Sequence, residues 1–118
     1  MEQFFCKTKI YAGPGAVSAL KDMKYLDFSY NQITALPAFD KTSMLVSITG
    51  SYNQISSLDA LSGLQHLNNV IMEYNEEISS VKALAKCPNL IQVNVFGTKV
   101  RDVSSLTDQS IIVNYNPV

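Results

Sequence analysis

Apolar residues recur along this chain in a fixed order rather than in blocks. The first full unit reads Leu20, Met23, Leu26, Phe28, Asn31, Ile33, Leu36, Phe39, and the second reads Leu45, Ile48, Gly50, Asn53, Ile55, Leu58, Leu61. A third runs Leu64, Leu67, Val70, Met72, Asn75, Ile78, Val81, Leu84, with one extra residue at Glu76-Glu77. A fourth runs Cys87, Leu90, Val93, Val95, Thr98, Val100, Val103, Leu106. The last is shortened to Ile111, Val113, Asn116, Val118, and its outer segment is reduced to Thr107-Asp108-Gln109-Ser110. Tyr precedes Asn at Tyr30-Asn31, Tyr52-Asn53, Tyr74-Asn75 and Tyr115-Asn116, the first three pairs standing 22 residues apart.

Each position in the unit has a physical task. Leu26 and Phe28 alternate with polar neighbours, which predicts a short strand with both side chains inward. Apolar residues after the Asn, such as Ile33 and Leu36, carry the chain through the interior of a coil. The three-residue apolar spacing from Leu58 to Leu64 predicts a 3₁₀ or short helical turn on the outer face. The Asn falls where the strand bends, where its amide can bond backbone groups left unpaired in its own and adjacent coils. Asn31, Asn53, Asn75 and Asn116 are therefore expected to form a structural ladder, with Thr98 as its break. Gly50 stands at a strand core site and predicts a gap unless a neighbour fills it.

A period in this range with this internal pattern resembles the leucine-rich repeat superfamily, specifically the short 22-residue class found in internalin-like bacterial proteins and protein-phosphatase regulatory subunits. The resemblance covers residues 20–118 in about five units. It implies an α/β repeat solenoid, right-handed, with a parallel concave β-sheet and short helical or 3₁₀ convex segments. It also implies a module that binds proteins on its concave side.

Residues 1–19 read as an N-terminal cap. Counting back one period places Phe4, Cys6, Lys9, Tyr11, Pro14 and Val17 at the repeat positions, so a degenerate capping coil is one reading. A second rests on Thr8-Lys9-Ile10-Tyr11-Ala12-Gly13-Pro14-Gly15-Ala16-Val17-Ser18-Ala19-Leu20, which resembles the opening of iron-dependent alcohol dehydrogenases. The Asp and His ligands of that family's metal site have no counterpart downstream, and His66 is the only His in the chain. Both readings predict extended chain to about Tyr11, a turn at Gly13-Pro14-Gly15 and a helix from Ala16 to about Lys21.

Composition narrows the function classes. A formal net charge of −1 removes the electrostatic reason to expect nucleic acid or an anionic membrane as partner. No apolar run approaches the roughly 20 residues needed to span a bilayer, so no membrane insertion is expected. The first residues carry no basic region followed by an apolar run. A cytoplasmic location is expected on that ground, or a surface or secreted one if the chain is an excerpt of a longer protein. Cys6 and Cys87 fall three or four coils apart, beyond disulfide reach at about 4.8 Å per strand, and are read as buried thiols.

The outward strand positions form four columns: Tyr25, Ser47, Asn69, Gln92, Ser110; Asp27, Thr49, Ile71, Asn94, Ile112; Ser29, Ser51, Glu73, Phe96, Asn114; and Tyr30, Tyr52, Tyr74, Gly97, Tyr115. Candidate partner-binding residues are Tyr30, Tyr52, Tyr74, Phe96, Tyr115, Ile71, Asp27 and Glu73, because Tyr brings large contact area at low entropic cost. The other reading of the Tyr column is packing, each ring resting on the ring one coil away. His66 is read as a solvated residue, Gly13-Pro14-Gly15 as a turn and Glu76-Glu77 as a solvated bulge. No nucleophile elbow or paired-carboxylate pattern occurs, so no catalysis and no cofactor are expected. The functional expectation is a non-catalytic protein-binding module. A glycan or small-ligand binder using the Tyr column, and a repeat fragment without a ligand, are the alternatives. The final strand predicts an open edge where a homodimer could form.

Overall fold

The computed structural model describes residues 24–37, 39, 43–106 and 110–115. Within them the chain winds as a β-solenoid of about four turns with little helix. Successive turns connect five three-residue strands: β1 (Tyr25–Asp27), β2 (Ser47–Thr49), β3 (Asn69–Ile71), β4 (Gln92–Asn94) and β5 (Ile112–Asn114). They form one parallel sheet in chain order. A 3₁₀ turn at Asp59–Leu61 and another at Lys82–Lys86 stack on each other, so the core lies between them and the sheet. The first of these falls within the three-residue spacing that predicts it. Among the described residues no helix is long and apolar enough to cross a membrane. The expected cap over residues 1–19, with Cys6 and the dehydrogenase-like segment, lies outside the described residues.

The strand centres Leu26, Ile48, Val70 and Val93 are buried and stacked in register. Beside them runs a second buried row of Phe28, Gly50, Met72 and Val95. Gly50 leaves no gap. A Cβ built there would meet the Phe28 ring and come within 3.0 Å of the Met72 sulfur, so the large Phe28 occupies the space that the next coil gives up. Volume is thus conserved across two coils instead of within each, which is what close packing requires. Cys87 is a buried free thiol whose Sγ donates to the Leu61 carbonyl at 3.1 Å.

The final coil departs from the expected register. Leu26, Ile48 and Val70 are spaced by 22, and Val70 and Val93 by 23 because of the extra residue near Glu76. Val93 pairs with Val113, a spacing of 20, where the apolar count predicts a pairing of Val93 with Ile111. A slip of two residues keeps every side chain within the strand on its face, so alternation alone does not distinguish the two registers. Ile112 and Asn114, not Ser110 and Ile112, therefore stand beside Gln92 and Asn94. Tyr115 is half-buried against the core, one residue beyond β5 in the row of Val95.

Candidate functional site

The sheet's outer side begins with the backbone that aims it. The parallel ladder continues past each strand: Tyr30 N donates to Ser51 O (2.9 Å), Tyr52 N to Glu73 O (2.9 Å) and Tyr74 N to Phe96 O (2.8 Å). At those tyrosines the chain turns left-handed, with φ of 59°, 59° and 57°. Gly97 holds the same place in the next coil at φ 78°. Left-handed backbone costs a residue with a Cβ about 1 kcal/mol or more. The Asn next in the chain holds each tyrosine in that conformation.

Asn53 Nδ2 donates to Gly50 O (3.0 Å) and Ser51 O (3.3 Å) in its own coil and to Phe28 O (3.0 Å) in the preceding one. Its Oδ1 accepts from Ile33 N at 3.0 Å. Asn75 repeats the scheme with Met72 O (3.1 Å), Glu73 O (3.4 Å), Gly50 O (2.9 Å) and Ile55 N (3.0 Å). Asn31 donates to Phe28 O and Ser29 O. Asn116 lies outside the described residues. Thr98 keeps only bonds within its own coil, donating to Val95 O (2.6 Å) and accepting from Val100 N (3.2 Å). It lacks the reach to serve Ile78 N. The extra residue after Asn75 supplies the alternative, a tight turn in which Ile78 N donates to Asn75 O at 3.1 Å. The insertion and the Asn-to-Thr break are thus two halves of one adjustment.

These turns set the aromatic rings in a line. Tyr30 and Tyr52 stack with centroids 4.7 Å apart and planes 8° apart, and Tyr52 and Tyr74 stack at 4.8 Å and 18°. Phe96 meets Tyr74 edge-on, at 5.9 Å and 73°. The Tyr74 ring lies where a side chain at Gly97 would be, with Cδ1 2.5 Å from a Cβ built there. All four rings keep exposed edges, from 60% for Tyr30 to 37% for Phe96, so the line is a fixed ridge at one margin of the sheet. The Tyr52 phenol is held above its ordinary pKa by desolvation in the stack, then by neighbouring Tyr30, Tyr74 and Glu73.

The remaining candidates distribute unevenly. Asp27 is exposed and its carboxylate accepts from Ser29 N at 3.0 Å. Ile71 and Glu73 are half-buried on the sheet's outer side. Tyr115 does not join the ridge, because the two-residue register change turns it against the core. In the first outward column Tyr25 and Ile112 stand exposed at the two ends, with Ser47, Asn69 and Gln92 between them and exposed Ile91 next to Gln92 in the chain; the spacing alone singles out none of these as a site. The available signal for Ile91 is an apolar residue where the preceding coil has Asn68. Ser47, Thr49, Asn69 and Asn94 make a polar floor on this surface, and Asn69 Nδ2 donates to Ser47 Oγ at 3.0 Å.

His66 is exposed on the helical side, and Glu77 pairs with Lys99 at 2.7 Å across solvent-facing turns. Among the described residues no group of three His, Cys, Asp or Glu side chains is placed to hold a metal. No family model and no curated protein matches the chain.

Proposed function

We propose that this chain is a right-handed leucine-rich repeat module of the short class, non-catalytic, that binds a protein partner on the concave side of its sheet. The observation that carries the reading is the aromatic ridge of Tyr30, Tyr52, Tyr74 and Phe96, rigidly set and still exposed. Rings fixed by stacking and by Asn-bonded turns lose little entropy on docking, which favours affinity. Beside the ridge lies a polar floor able to hydrogen-bond a polypeptide, and Tyr25, Ile91 and Ile112 add exposed apolar area on the same side. This combination of exposed apolar and hydrogen-bonding area suits protein recognition. Under the same proposal the β5 end of the sheet, where Val103, Leu106, Ile111, Val113 and Tyr115 are only half-buried, is where a second copy would dock.

The stacking distances speak against the glycan alternative. A sugar ring inserted between two aromatic rings needs them about 7 Å apart, twice a carbon–carbon contact, and the Tyr rings are closed to 4.7 and 4.8 Å. A ligandless packing role for the column is the stronger competitor, and one substitution pair separates it. Capture from the native host with Phe96→Ala and Tyr52→Ser is expected to lose the partner that wild type and His66→Ala both retain. If Tyr52→Ser lowers stability but all variants capture the same partner, the ridge is packing and the proposal fails.

A further inference from the structure

Glu73 sits in the middle of the outer surface, between Met72 in the core row and Tyr74 on the ridge. Its backbone is fully engaged: N donates to Ser51 Oγ at 3.2 Å and O accepts from Tyr52 N at 2.9 Å. Its carboxylate makes no ion pair or hydrogen bond among the described residues, although the residue is half-buried. A carboxylate without an internal partner is open to a cation from outside. The sheet does not supply one. Residues 25–30, 47–52, 69–74, 92–97 and 112–115 contain no Lys or Arg, and nearby Lys99 is occupied by Glu77 at 2.7 Å.

The surroundings suit a cation from outside. Tyr52 and Tyr74 place hydroxyl groups along the ridge, and these accept hydrogen bonds. Phe96 follows Glu73 in the same outward column one coil on, with its ring turned 73° out of the Tyr stack, so that it does not continue the face-to-face series. An aromatic ring beside a carboxylate attracts a guanidinium or ammonium through its quadrupole as well as through charge. The polar floor of Ser47, Thr49, Asn69 and Asn94 runs alongside and offers bonds to the backbone that would carry such a side chain.

Resting on the protein-binding reading above, we propose that Glu73, Tyr52, Tyr74 and Phe96 form the receptor for an Arg or Lys side chain of a basic polypeptide segment. The charge on the surface and the chemistry of the ridge both select for that partner over an acidic or purely apolar one.

The test uses the full chain and an array of short peptides graded in net charge, followed by anisotropy titration of the best binder. The expected result is enrichment of Arg- and Lys-bearing peptides. Replacing the critical Arg by the isosteric, neutral citrulline should weaken binding about five-fold, and Glu73→Gln should weaken the Arg peptide by about the same factor. Glu73→Gln should leave the citrulline peptide unaffected, which places the two charges in one contact. Circular dichroism of Glu73→Gln should match wild type, since the carboxylate makes no internal bond. Equal affinity of wild type and Glu73→Gln for the Arg peptide overturns the cation receptor. If peptides without cations bind and lose affinity in Phe96→Ala, the docking surface stands and only the cation receptor falls. Absence of any binder, or binding indifferent to Phe96→Ala, overturns both.

Discussion

The Asn side chains connect sequence to coil stacking most directly. Asn53 and Asn75 each bind carbonyls in two coils and accept one amide from the coil before. Removing a buried amide strands several backbone groups at once. Asn53→Ala is expected to cost about 3 kcal/mol and Asn31→Ala, half-buried, about 1 kcal/mol, both read from urea unfolding. The Thr98 adjustment makes a sharper prediction. Deleting Glu76 alone removes the turn that satisfies Ile78 N, and should cost about 1–3 kcal/mol. Thr98→Asn alone gains little, because Ile78 N already has Asn75 O. The two changes combined should recover stability, a coupling that a double-mutant cycle reads directly. Additive losses would show that the insertion and Thr98 are independent. Gly50→Ala should destabilise by about 1–3 kcal/mol by forcing the Phe28 ring aside.

At the scale of the element, the aromatic ridge combines ring stacking with left-handed backbone. Tyr52→Ala loses two ring contacts, each about 0.5–1.5 kcal/mol, and keeps the backbone cost. Tyr52→Gly loses the same rings but relieves that cost, so it should be more stable than Tyr52→Ala by about 1 kcal/mol in thermal or urea melts. The opposite order would mean that the turn is unstrained. Ionisation tests the stack independently. The folded Tyr52 pKa is raised above the ordinary value of 10.0. The unfolded chain therefore ionises first, and this contribution to stability, complete below that value, is lost as pH rises through the folded one. Tyr52→Phe should remove part of the alkaline loss of stability, and phenolate absorbance should show one tyrosine titrating late. The repeat period and the Asn rungs are legible in the sequence because they are local and periodic. The left-handed turns are signalled only by Gly97 standing where other coils have Tyr. Whether those rings stack or gape is not legible, since it depends on side-chain torsions set across coils.

For the whole molecule, the solenoid and its parallel strand order follow from apolar spacing alone, and the end of the sheet does not. Ile111 and Val113 face inward in either of two registers, and only the pairing of Val93 with Val113 decides between them. Attention to the Tyr115-Asn116 pair leads the apolar count astray by two residues and places Tyr115 on the ridge. The half-buried apolar residues around β5 carry the proposal of a second copy at that end. Light scattering over a concentration series should then show a dimer, and a monomer throughout would remove it. The proposal that the outer side of the sheet is the binding surface is the central one, and hydrogen exchange on the partner-bound chain tests it most directly. Protection on binding should concentrate in residues 47–52, 69–74 and 92–97, with residues 57–66 and 80–88 on the helical side unchanged. Protection confined to the helical side, with the strands and the Tyr turns exchanging as in the free chain, would contradict the account.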